Sequence, residues 1–201
     1  MSTSLIGALG AIALLLSVNC TPAVAQWVVS LEIGAERFWG GSIETTPEQR
    51  SFRPYRPTTL GIGLERKADD LGIALRFRYA EAPLALEGEE AALAVKGIFD
   101  VYSIAPELSY RLVTVGHDVP ITLHAGPLVE VWSIVDEGSK THVGAHGEVS
   151  LTVPLGSGLA GTFLAGGAVM PSPFSPEQLI ENYEPRTLWR RGVAARLEYR
   201  L

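Results

Sequence analysis

The chain has 201 residues, 47% of them hydrophobic, and a formal charge of −6 at pH 7; that length allows one sizeable domain or two small ones. The acidic balance leaves no basic stripe of the kind nucleic acid requires, and a single cysteine, Cys20, excludes an internal disulfide. After residue 25 no apolar run approaches the ~20 residues of a membrane-spanning helix.

Residues 1–25 carry no charged side chain, have an apolar centre from Ile12 to Val18, and end in Ala23-Val24-Ala25 before Gln26. This small-x-small ending predicts a cleaved secretory signal, with residues 26–201 as the mature domain. A transmembrane anchor is the alternative, but the run is too short to span. Cys20 as a lipidated cysteine is a second alternative, although Asn19 stands where a small residue is usual.

From Trp27 onward the apolar period is two. The first run sets Trp27, Val29, Leu31, Ile33, Ala35, Arg37 and Trp39 against Val28, Ser30, Glu32, Gly34, Glu36 and Phe38. The second opposes Leu60, Ile62 and Leu64 to Gly61, Gly63 and Glu65. The third opposes Leu71, Ile73, Leu75, Phe77 and Tyr79 to Gly72, Ala74, Arg76 and Arg78. In the fourth, Tyr102, Ile104, Leu108, Tyr110 and Leu112 alternate with Ser103, Ala105, Glu107 and Arg111. The fifth pits Ile121, Leu123, Ala125, Val129 and Val131 against Thr122, His124, Gly126 and Glu130. The sixth places Val143, Ala145, Val149, Leu151 and Val153 opposite Gly144, His146, Glu148, Ser150 and Thr152. Residues 158–170 are apolar and glycine-rich, with no clear phase, and Leu188 to Leu201 completes the set.

The connections alternate in length. Residues 67–70, 115–120 and 154–158 read as short turns, whereas 40–58, 81–97, 136–141 and 171–187 are loops, three of them long. Short turns at one end and long loops at the other predict an eight-stranded antiparallel up-and-down barrel.

Alternation alone does not say which phase faces inward, and a soluble lipocalin-like barrel that binds an apolar ligand has the opposite polarity. Three features favour a membrane barrel. Lysine occurs only at 67, 96 and 140, all in turns or loops. The polar phase is nearly balanced, with Glu32, Glu36, Glu65, Glu107, Glu130, Glu148 and Glu198 against Arg76, Arg78, Arg111, Arg190, Arg196 and Arg200. Such a set suits a narrow lumen filled by ion pairs. Aromatics sit near the strand ends, with Trp39, Tyr79, Tyr102 and Trp189 at one interface and Trp27, Tyr110 and Tyr199 at the other. The strand from Trp189 to Tyr199 covers ~33 Å, or ~25 Å of height when tilted by ~40°, matching the apolar band. Three apolar-phase arginines, Arg37, Arg66 and Arg191, fall near strand ends, where a lipid-facing charge costs little.

With this layout, the presumed signal and its final strand, the chain from Trp27 to Leu201 resembles the small eight-stranded outer-membrane barrels, such as the transmembrane domain of outer-membrane protein A. The resemblance implies residence among the lipids of the outer membrane of a Gram-negative-type bacterium, and a last strand that pairs with the first. It also implies recognition of that last strand by the barrel-assembly machinery. In the family it ends in an aromatic, usually Phe; here Leu197 and Tyr199 keep the alternation while Leu201 ends the chain.

Two loops share a capping pattern, Thr46-Pro47-Glu48-Gln49 and Ser175-Pro176-Glu177-Gln178, which predicts short helical turns. Residues 81–96 are acidic and alanine-rich, a solvated loop with some capacity for a cation or partner. For catalysis, Ser150, His124, His146 and Glu148 are the candidates, as a Ser–His–Glu set for lipid deacylation. They share the lumen phase, however, while lipids approach from outside. The two histidines with Glu130 or Glu148 offer only loose metal-ligand spacing. The expectation is a non-enzymatic barrel without cofactor or metal, serving envelope integrity, surface interaction or a very narrow pore. A lipid hydrolase and a soluble ligand-binding barrel are the alternatives.

Overall fold

The computed structural model describes residues 25–44, 51–54, 56–87, 92–134, 138–174 and 183–201. The signal segment and the two capping patterns therefore lie outside the described residues, Ala25 and Gln26 apart. Nine strands occur among them: β1 (Gln26–Glu44), β2 (Ser51–Pro54), β3 (Thr58–Ala68), β4 (Leu71–Glu87) and β5 (Ala92–Val115), followed by β6 (Val119–Ile134), β7 (Gly138–Gly156), β8 (Leu159–Met170) and β9 (Tyr183–Arg200). All but β2 build the wall.

Each wall strand pairs antiparallel with its chain neighbour, and β1 closes the ring by pairing with β3 on one edge and β9 on the other. The closing register runs from Val28 opposite Arg200 to Glu44 opposite Tyr183. Beyond it the Leu201 amide donates to the Trp27 carbonyl over 2.9 Å. Closure leaves no unpaired edge in the wall, the condition a sheet must meet in hydrocarbon. Short turns join the strands at one end. In the β7–β8 hairpin both turn residues have positive φ, 50° at Ser157 and 81° at Gly158, matching the twist of the flanking strands.

Polarity is inside out. Ile62 and Leu64 point away from the axis at 58% and 44% exposure, whereas Glu65 and Arg76 are each 3% exposed. A continuous exposed apolar belt around buried charge is stable only against lipid. The girdle aromatics stand in cross-strand pairs on that outer surface. Tyr79 faces Tyr102 with ring centroids 5.2 Å apart, and Trp39 faces Trp189. Trp27, Tyr110 and Tyr199 are exposed at the short-turn end.

The sequence left residues 158–170 without a phase; β8 turns Ala160, Thr162, Leu164, Ala168 and Met170 inward and Phe163 outward. Its many small residues hide the alternation. The expected loop at 81–97 is instead mostly strand: β4 and β5 continue pairing to Glu87 and Ala92, and β2 adds to β4 from Ser51 opposite Glu87 to Pro54 opposite Leu84. Backbone pairing extends past the bilayer there because ladder hydrogen bonds do not depend on the apolar pattern.

Candidate functional site

The interior is built in tiers from inward-facing positions of the eight wall strands. At the short-turn end, Glu65 accepts from Ser109 Oγ over 2.6 Å, and Glu198 accepts from Thr162 Oγ1 over 3.0 Å and from Lys67 Nζ over 3.4 Å. Arg76 Nε donates to Glu107 and lies in ion-pair range of Glu65 at 3.9 Å. Midway, Glu32 bridges two strands: Arg78 Nε donates to one oxygen over 2.8 Å and Arg196 Nη2 to the other over 2.6 Å. The second arm of Arg78 holds Glu148 at 2.6 Å. Higher still, Arg190 donates to Glu130 over 2.6 Å and stands 3.4 Å from Glu36. Glu130, fully buried, also accepts from Ser103 Oγ and Trp132 Nε1, each over 2.9 Å. Buried charges tolerate removal from water only when paired and hydrogen-bonded in this way.

Two of the arginines assigned to the lumen lie elsewhere. Arg111 is exposed, with its guanidinium 3.4 Å from Asp70 and donating to the Asp69 carbonyl over 2.9 Å. The β-bulge between Arg111 and Val113 turns the strand at that point. Arg200, at the last position of β9, is exposed at the rim. Water is available to both, so neither needs a lumen partner.

Above the charged tiers the inward phase becomes apolar. Phe38, Ala82, Val101, Leu128, Trp132, Met170 and Leu188 are buried together, and Phe174 packs against them. Phe38 and Trp132 meet edge to face at 6.0 Å. Ser172 Oγ ties the strand exit down by donating to the Gly41 carbonyl over 2.7 Å. This plug was missed because Phe38, Leu128 and Trp132 sit in the nominally polar phase. The signal was available: near the long-connection end both phases of β1, β5 and β6 turn apolar.

The candidate catalytic residues are partly brought together. His124 Nε2 and Ser150 Oγ are 2.9 Å apart. The carboxylate facing the other ring nitrogen is Glu107, at 3.7 Å from Nδ1, rather than Glu148. Ser150 and His124 are each 2% exposed, which leaves an acyl substrate no approach to Oγ, so the pair serves as an interior hydrogen bond. Glu107, His146 and Glu148 place one ligand atom each within 4.8 Å of one another. Both nitrogens of His146 and Glu107 Oε1 make no hydrogen bond among the described residues. A space of ≈ 20 Å³ adjoins His146 and Glu148, enough for one water. Arg76 and Arg78 already neutralise these carboxylates, and the donor set fits a bridging water better than a cation.

Ring closure with apolar exterior and paired charges within defines a transmembrane β-barrel of eight wall strands. Solved structures share this fold. Neisserial surface protein A superposes with a TM-score of 0.54 at 13% identity, covering 86% of this chain and 96% of that one. The outer membrane protein OprG from Pseudomonas aeruginosa gives 0.53 at 12% identity, covering 88% and 96%. No family model and no curated protein matches the chain.

Proposed function

We propose that this chain is a non-enzymatic barrel of a bacterial outer membrane whose lumen is closed, so that its work is done at the extracellular surface and in stabilising the envelope. One observation carries the reading: a tier of ion pairs from Glu65 to Arg190 is capped by the apolar plug around Trp132. Ions crossing such a lumen would have to break buried pairs and then traverse a dehydrated apolar tier, and both steps are costly. The strands β2, β4 and β5 continue beyond the aromatic pair Tyr79–Tyr102, giving a rigid platform for extracellular contacts. Residues 1–25 would direct export, and the β9 strand would be read by the assembly machinery.

Conductance across a planar bilayer tests this directly. The purified barrel is expected to insert without discrete current steps, whereas a Phe38→Ala/Trp132→Ala variant thins the plug and admits water from the outer side. Regular unitary currents from the unaltered protein would replace this reading with a narrow pore.

A further inference from the structure

Near the long-connection end of the β1–β9 seam, the outward face carries Arg37 and Arg191 as direct cross-strand partners. Both side chains are exposed. Like charges directly opposite on one sheet face repel each other, and beside hydrocarbon the repulsion is poorly screened. Among the described residues neither arginine has an ion-pair partner. The next pair toward the loops is Trp39 and Trp189, and the Arg191 guanidinium lies 4.3 Å from the Trp39 ring centroid. That stacking draws the charge toward headgroup level rather than the bilayer centre. On its other flank Arg191 faces Gly167, which has no side chain, and the row below offers only Ala35, Val193 and Ala165. The outward face thus presents two adjacent arginines, with the Trp39–Trp189 pair on the loop side and small apolar residues on the other.

Arg66, at the opposite end, differs. Its cross-strand partners are Trp27 and Ile73, so no second cation faces it.

We propose that Arg37 and Arg191 clamp the phosphate of a lipid headgroup in the leaflet at the long-connection end, a phosphate monoester being the best match. Guanidinium forks bind phosphate oxygens in pairs, and a monoester carries nearly two negative charges at neutral pH, enough to neutralise both arginines. The acyl chains then lie over Ala35, Ala165 and Val193. This rests on the transmembrane reading of the barrel.

The test uses the full barrel folded into phosphatidylcholine nanodiscs containing phosphatidic acid, with retained lipid read by native mass spectrometry. The unaltered protein is expected to keep phosphatidic acid in preference to phosphatidylcholine of the same chains. The Arg37→Gln/Arg191→Gln variant should lose that preference by about tenfold or more, the loss of even one charge-assisted hydrogen bond being worth about that factor, while Arg66→Gln keeps it. Arg191→Lys, which retains charge without the fork, should fall between. Faster migration of the unboiled than of the boiled protein on a gel verifies that each variant is folded. Equal retention of the two lipids by the unaltered barrel, or an unchanged preference in the double variant, overturns the proposal. Displacement of the lipid by equimolar inorganic phosphate overturns the lipid as occupant. A folded barrel that stays out of the bilayer altogether overturns the transmembrane reading as well, so the two failures are distinct.

Discussion

Arg76 illustrates what each interior residue must satisfy. Its guanidinium is 3% exposed and donates to Glu107, itself 2% exposed, on the neighbouring strand β5. Replacing it with leucine keeps much of the volume but strands a buried carboxylate. Arg76→Leu is therefore expected to cost about 3–5 kcal/mol, measured as unfolding free energy by urea titration in lipid vesicles. A change within the error of that titration would show that the interior pairs do not hold the barrel together. The residue types inside were largely legible from the sequence, since Glu and Arg alternate with apolar residues; Lys67, read as a turn residue, instead lies in β3 and donates to Glu198. The partners were not. Glu148 is the cross-strand partner of His124, yet it is the Glu107 carboxylate that comes within 3.7 Å of His124 Nδ1, a choice that depends on how β5 and β6 are staggered.

At the level of strands, spacing between neighbours sets which positions must be glycine. A Cβ built on Gly126 in β6 would meet the Pro106 carbonyl oxygen of β5 at 2.0 Å. One on Gly147 in β7 would meet only the His124 carbonyl oxygen, at 3.8 Å. Gly126→Ala should then cost about 1–3 kcal/mol through forced backbone movement, while Gly147→Ala stays within ~0.5 kcal/mol, as for a surface change. Parallel urea midpoints for the two variants check the contrast, and equal midpoints would refute it. Sequence reading placed Gly126 in the polar phase of its strand but could not see this contact, because it depends on how closely β5 approaches. It also stopped β4 and β5 too early, because residues 81–97 place Glu and Ala in both phases and so carry no amphipathic signal, although their backbones keep pairing.

For the molecule as a whole, polarity rather than topology separates a membrane barrel from a soluble one of the same strand order. Ile33 lies midway between Trp27 and Trp39 on β1 and is 55% exposed. Ile33→Arg is expected to lower stability in bilayers by about 2–4 kcal/mol, the cost of a cation at mid-membrane depth. In a soluble barrel with water on that face the same change would be nearly neutral. Folding yields into vesicles of increasing chain length extend the check, since a mismatch between belt and bilayer penalises insertion.

The sequence by itself determined the number of wall strands, the face that all of them but β8 turn to lipid, the alternation of short and long connections and the charged composition of the interior. These follow from one strand at a time: an alternating segment between two unlike media sorts its side chains whatever its neighbours do. Tertiary structure alone decided which charges meet, the apolar plug, the strand extension past the girdle, and the exclusion of Arg111 and Arg200 from the lumen. Those depend on stagger and closure, which bring Glu32 against Arg196, 164 residues along the chain. No local pattern encodes a distance that exists only once the ring has shut.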